Sequence, residues 1–426
     1  MDDKQKKRME ELDKVKRNLN VKELWSWTKY KCWLSDPWEY YLHYVKKVPY
    51  DRANPTMYLK AGTYIHGVLE WLAHATYGET SAEYKEQIAK AFHDKLDELE
   101  MEGCRFKDGS DKENRKLRKN YEDALTDMLL KKNFMFQGKR MTEVFLYTRI
   151  KERRFAFAGY ADLITKKVDT DGKTIFTITD YKTSSLYDKK KREQEKYQLL
   201  LYAKGLHDNY KVPYENIRIG WEFLRYVKAT VQHKNGKKRA GKIHTYYCER
   251  TKVGERLYNA AKNVIKTCWS MTEEEKQEAL DYFAVTNKKD RFSLEMQRRI
   301  IIEQGCFIEI PFTEKDIDDM CDKILKDMKE HRAIMDEYNT LMNCGEPDKA
   351  EQLFMWNVTD KDYYRIEHLG NYTRALHKPL NRYLNDKAKK KEENTVYVYD
   401  DEAVTESQID RMLAEAGYNI DDNLLD

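Results

Sequence analysis

The stretch ITDYKTSS, residues 178–185, decides how this chain is read. It lies in the run KTIFTITDYKT (173–183), whose β-branched and aromatic residues favour a strand. Side chains alternate from face to face along a strand, so Asp180 and Lys182 project together with Phe176 and Ile178. An acid and a lysine so placed make either a surface salt bridge or part of a site. The preceding strand, RFAFAGYADLITKKV (154–168), bears on the choice. The loop Thr170-Asp171-Gly172 suits a type I turn with the glycine in the left-handed position of a bulge. Residues 169 and 173 then pair, and Asp162 faces Asp180 with both carboxylates on one face. A two-residue loop would send them to opposite faces. Asp-Gly in the last two loop places favours the longer loop, and Gly159 lets the strand bend beside Asp162.

Two carboxylates side by side repel one another unless a cation stands between them. A hard divalent ion fits, because Mg²⁺ takes one or two carboxylates and completes its shell with water and substrate phosphate. Lys182, on the same face, would hold a phosphate oxygen or the attacking water. Together these residues form a constellation for metal-assisted phosphodiester hydrolysis.

Around this hairpin the pattern alternates between helical and extended. Residues 21–49 read as aromatic-rich helices broken at Asp36-Pro37. A helix from about Leu59 carries Ala61, Ile65, Val68, Leu69 and Leu72 as its apolar stripe, and 84–134 continues helically. Strands follow at 142–150, 154–168 and 173–183, then a helix at about 190–210 and a strand at 217–227. KNGKKRAGK (234–242) links that strand to 243–253 as a hairpin. From about 254 the chain reads as mostly helical, and residues 314–343 form a 30-residue helix capped by Thr313 and ended by Gly345. The organisation is a charged leader (1–20), a mixed α/β core with its N-terminal helices (21–260), a helical extension (261–386), and a basic hinge with an acidic tail (387–426).

Composition narrows the class. The 426 residues carry a net charge of +4, but 400–426 hold nine acids and one base, so the rest of the chain stands at +12. A basic body suits a polyanionic partner, and an acidic tail suits an interaction segment. No apolar run approaches a membrane span, and the N-terminus lacks the apolar core of a secretory signal. Seven dispersed cysteines without a CxxC pair fit a reducing compartment, the cytoplasm of a prokaryotic or virus-infected host cell.

Four pieces in order, GTYIHGVLE (62–70), GYADLI (159–164), TDYKTSS (179–185) and YQLLLYA (197–203), make the sequence resemble the PD-(D/E)XK nuclease superfamily, in particular its RecB-like branch. The resemblance covers roughly residues 20 to 230. It implies a restriction-endonuclease-like core with a mixed central sheet flanked by helices. It also implies His66, Asp162 and Asp180 as ligands of Mg²⁺ or Mn²⁺, and Lys182 as the catalytic lysine. Gln198 and Tyr202, four apart on one helix face, would position Lys182 and the DNA backbone. Glu70 either supports His66, adds a carboxylate, or is a plain surface glutamate. Glu143 matches a position where related nucleases carry an acid, and is a candidate accessory ligand.

Some RecB-like nucleases hold an iron–sulfur cluster through one early and three late cysteines. Cys32 stands at the first place, but no cysteine follows Cys344, so no cluster is expected. For DNA, the hairpin tip offers Lys234, Lys237, Lys238, Arg239 and Lys242, which would neutralise phosphates without reading sequence. Trp25, Trp27, Lys29, Tyr30 and Lys31 either stack on a single strand or pack in the core. The expectation is a metal-dependent DNA nuclease, an exonuclease of recombination, repair or replication. Its rivals are an endonuclease or flap nuclease of the same fold, and a non-catalytic DNA-binding scaffold. A protein partner would dock on the tail helix TESQIDRMLAEAGY.

Overall fold

The structure is a computed structural model that describes residues 3–21, 23–47, 56–76, 78–107, 109–131, 139–151, 155–233 and 242–354. Lys234, Lys237, Lys238 and Arg239 of the expected hairpin tip, the 387–391 lysine run and the acidic tail lie outside the described residues.

In the N-terminal part, α1 (Asp3–Leu19) leads to β1 (Glu23–Trp25), α2 (Trp27–Ser35) and α3 (Pro37–Tyr40), which a π-turn extends. The break at Asp36-Pro37 has the expected cause. The Asp36 side chain accepts from Glu39 N–H, and Pro37 stands where no helical donor is needed. Next come α4 (Met57–Leu72), α5 (Ala82–Met101) and α6 (Asp111–Lys131). Ala61, Ile65, Leu69 and Leu72 form the buried stripe of α4, packed with Phe92, Leu96 and Tyr121.

The strands follow as β2 (Lys139–Arg149), β3 (Phe155–Val168) and β4 (Thr174–Lys182). The β3–β4 ladder runs from Val168 opposite Thr174 to Leu163 opposite Thr179, the register of the three-residue loop. Gly172 takes φ 78, and the Asp169 carboxylate accepts from Asp171 N–H and Lys173 N–H. Helix α7 (Lys189–Tyr210), capped by Asp188, carries the chain over to β5 (Ile217–Phe223), which lies parallel to β4 with Asp180 opposite Trp221.

The expected strand 217–227 is broken. β5 ends at Phe223, and β6 (Tyr226–His233) pairs instead with β7 (Lys242–Glu249). The corner at Leu224-Arg225 is held by Arg250, whose buried guanidinium donates to Leu224 O and Gln304 O. These are partners no local pattern announces. β6 and β7 therefore belong to a second, three-stranded sheet. After it come α8 (Val253–Ile265), α9 (Glu273–Thr286) and α10 (Leu294–Arg299), then two short strands absent from the sequence reading, β8 (Ile300–Ile302) and β9 (Phe307–Ile310). β8 pairs with β6, and β9 adds antiparallel to β5. Helix α11 (Glu314–Asn343) has the expected 30 residues. Thr313 Oγ1 accepts from Asp316 N–H at its start, and Gly345 lies just beyond its end with φ 75. Helix α12 (Pro347–Gln352) closes the described chain. Among the described residues no helix is long and apolar enough to cross a membrane.

The chain divides into two compact units. One comprises residues 1–55, 149–158 and 318–426, and its core is aromatic: Trp25, Trp33, Tyr40, Tyr41 and Phe354 are buried around α11. Trp25 and Tyr30 thus pack in a core rather than offering a stacking platform, with Tyr40 stacked at 5.9 Å from Trp25. The other unit comprises 56–148 and 159–317 and contains strands β4, β5 and β9 with helices α4 to α10.

Candidate active site

The site lies in the second unit, at the end of β4. Two residues apart on one strand face, Asp180 and Lys182 meet as an ion pair, with Lys182 Nζ 2.5 Å from Asp180 Oδ2. Neither is a surface group: the side chains are 5% and 21% exposed. The contact is not an aligned hydrogen bond, since Asp180 Oδ2 is buried and lacks a partner of good geometry. Burial holds the Asp180 carboxyl above its ordinary range against the pull of Lys182, and the nearby Asp162 charge adds to the rise. For Lys182, burial opposes the charge, but Asp180 outweighs it and raises the ammonium above its usual range.

Asp162 stands where the β3–β4 ladder stops. Its Oδ2 accepts from Tyr181 N–H at 2.7 Å, so a side chain takes a strand donor that would otherwise be left over. The same oxygen lies 3.5 Å from His66 Nδ1, on α4. Burial disfavours the imidazolium, but the Asp162 hydrogen bond and the charges of Asp162 and Asp180 outweigh it, and His66 is raised. Helix α4 comes close enough through Gly62, where a Cβ would stand 3.1 Å from Thr183 Oγ1. Two carboxyl groups, Asp162 and Asp180, thus face His66 and Lys182.

From α7, Gln198 Nε2 donates to Tyr202 Oη at 3.1 Å. Burial raises the Tyr202 hydroxyl, and Asp180 and Asp162 raise it further, so the ring stands within their field. Gly159 serves this packing. Its backbone is not left-handed, but a Cβ there would lie 3.0 Å from Tyr202 Cε1. Close approach is therefore an observed reason for glycine at this position.

The structure brings His66, Asp162, Asp180, Lys182, Gln198 and Tyr202 into one neighbourhood. Glu70 lies one turn beyond His66 on α4, half-buried. Glu143 lies in β2 with a left-handed backbone, φ 48. Lys242 opens β7 opposite His233, in the other sheet. The sequence reading missed Tyr187, a buried residue whose ring edges meet Trp221 at 5.3 Å and Phe223 at 5.1 Å. Its hydroxyl lies within the field of Lys182, and one aromatic in the polar loop before α7 was the available signal. Among the described residues, no group of three or more His, Cys, Asp or Glu side chains is gathered tightly enough to hold a metal ion. Two carboxylates are nevertheless the donor set Mg²⁺ needs from protein, and the poorly partnered Asp180 Oδ2 is chemically suited to one. Cys32 is half-buried, and burial, then Glu39 and Asp36, raise its thiol above the ordinary range.

Comparison with curated proteins and with solved structures gives no match. A family model does match, over residues 24–331, and takes in every one of these side chains. By that match and by a mixed central sheet flanked by helices, the chain belongs to the PD-(D/E)XK nuclease superfamily.

Proposed function

We propose that the protein is a metal-dependent deoxyribonuclease of the RecB-like branch, working as an exonuclease in DNA recombination, repair or replication. The observation that supports it most is the intact set of Asp162, Asp180 and Lys182, two carboxylates and a protonated lysine at one strand end. A scaffold that had given up catalysis would have no need to keep a buried carboxylate in so costly a position.

Asp162 and Asp180 would hold Mg²⁺ or Mn²⁺, with His66 as a further donor once it gives up its proton. The cation, when bound, supplies polarisation of the phosphate and a more acidic water. The chain supplies the rest. Lys182 is held charged by Asp180, so it serves as a donor to a phosphate oxygen and to the charge that develops there. Gln198 fixes the Tyr202 hydroxyl, and the pair packs beside the strand to keep Lys182 and the DNA backbone in line. Tyr187 packs against Trp221 and Phe223 of β5, within the field of Lys182. DNA itself would be gripped through phosphates, by Lys242 and the basic residues next to it, without sequence preference. The acidic tail would dock a protein partner rather than DNA, since negative charge adds no affinity for phosphate. The cytoplasm of a prokaryotic or virus-infected cell suits thiols kept reduced.

The test is digestion of end-labelled linear and covalently closed circular DNA with Mg²⁺, Mn²⁺ or a chelator. An exonuclease shortens the linear DNA from its ends, spares the circle and stops in chelator. Cutting of the circle transfers the assignment to an endonuclease, and DNA binding with no cutting of either substrate transfers it to a scaffold.

A further inference from the structure

Tyr187 occupies a place where packing by itself would accept phenylalanine. It is 7% exposed, and its ring makes T-shaped contacts with Trp221 at 5.3 Å and Phe223 at 5.1 Å. Those two residues are the direct partners of Asp180 and Lys182 in the parallel β4–β5 ladder. Paired residues of adjacent strands project to one face. The Tyr187 ring therefore lies on the face that carries the Asp180–Lys182 pair, one strand over. It is also held from α7, the helix that carries Gln198 and Tyr202. Asp188 caps that helix, Arg192 Nε donates to Tyr187 O at 2.9 Å, and the Lys191 ammonium lies 4.4 Å over the ring. Ring and backbone are thus fixed from two sides.

The hydroxyl is the part of Tyr187 that packing does not explain. Burying it costs free energy unless polar groups meet it. Burial raises it, Lys182 opposes that rise, Glu195 and Asp180 add to it, and the Ser184 side chain meets it. For Lys182, burial opposes the charge, and Tyr187 follows Asp180 among the groups that favour it. A hydroxyl both donates and accepts, so the Ser184 contact still leaves it a role toward the lysine.

We propose that Tyr187 is a positioning residue for Lys182, its fixed hydroxyl limiting where the lysine's amine can go and so keeping it between Asp180 and the scissile phosphate. The inference rests on the assignment of Lys182 to phosphodiester hydrolysis and deepens it. Tyr187 itself touches neither the metal nor the reacting atoms.

Tyr187→Phe tests it, because it removes the hydroxyl and keeps the ring. An unchanged unfolding temperature verifies the packing. One readout needs no turnover: trace labelling of the full chain with an amine-reactive acylating reagent, with the label at Lys182 measured against the exposed Lys189 and Lys190. The variant should label at Lys182 about threefold faster or more, the scale of losing one polar contact. The other readout is cleavage of linear DNA with Mg²⁺. There kcat should fall about tenfold with KM unchanged, the pattern of a group whose effect is felt only in the transition state. Unchanged labelling of Lys182 would overturn the proposal, as would an unchanged kcat in a chain that cleaves. A joint fall in kcat and unfolding temperature would assign Tyr187 to packing and overturn it as well. If the wild-type chain cuts no DNA, the labelling decides alone: faster labelling keeps Tyr187 as the residue that holds Lys182, and only the nuclease reading fails.

Discussion

His66 and His331 are the centres of two clusters, one in each unit, and their surroundings shift them in opposite directions. His66 faces Asp162, with Asp180 nearby, and is raised despite its burial. His331 is buried in α11 with T-shaped contacts to Trp25 and Trp33, each 4.8 Å away, and its Nε2 pairs with Tyr40 Oη at 2.8 Å. Burial, helped by the positive charge of Lys29, pushes it down to about 3. A carboxylate does stand one turn earlier on α11, but Asp327 is taken by Tyr30 and Lys323. Burial alone therefore does not decide the charge of a histidine. The carboxylate charges that act on it do: Asp162 and Asp180 on His66, against the positive Lys29 on His331. The first arrangement gathers ionisable groups at the candidate site, and the second excludes charge for packing.

The comparison breaks most sharply at the charged cluster. Lys182→Ala and Asp180→Asn should each cut DNA cleavage by about 10²–10³-fold or more, the scale of losing a group that meets developing charge. Both variants should keep a cooperative unfolding transition. Near wild-type turnover of either purified variant would remove these residues from the site.

The packed cluster should show itself in the pH dependence of stability. Above pH 6.5 His331 is neutral in folded and unfolded chains alike and contributes no slope. Below it the unfolded chain takes up a proton that the folded site accepts only near pH 3, so stability falls by about 1.4 kcal/mol per pH unit. Between pH 6.5 and 4, wild type should lose about 3 kcal/mol relative to His331→Gln in urea unfolding. His66 has the opposite sign, because its raised value gives stability that is complete below pH 6.5 and fades as pH rises through its folded value. Parallel profiles for wild type and His331→Gln would show that His331 is not held neutral.

A smaller effect tests the packing of α7 against the candidate site. Gly159→Ala sets a Cβ against the Tyr202 ring, and should lower cleavage about tenfold, roughly 1.4 kcal/mol, with little change in DNA affinity. The smallest is Tyr40→Phe, which leaves His331 Nε2 without its hydroxyl and should cost about 1 kcal/mol of stability and no activity. A loss of cleavage in that variant would join the two clusters functionally.

Much was readable before any coordinates. The period of two put Asp180 and Lys182 on one face, and turn chemistry at Asp171-Gly172 set the β3–β4 register that puts Asp162 close by. The length of α11 and the break at Pro37 followed from apolar spacing and caps. These are local rules, which a few neighbouring residues satisfy among themselves. Other features depend on residues far apart in the chain, and only the tertiary structure decided them. His66 meets Asp162 because α4 closes over Thr183 at Gly62, and no spacing in sequence encodes that approach. The strand at 217–227 breaks because Arg250 and Gln304 hold its corner, and β9 extends the sheet from some eighty residues beyond β5. Charge was decided in the same way. A sequence names which groups ionise, but desolvation and the distance to the next charge set whether they do, and both are properties of the packed chain.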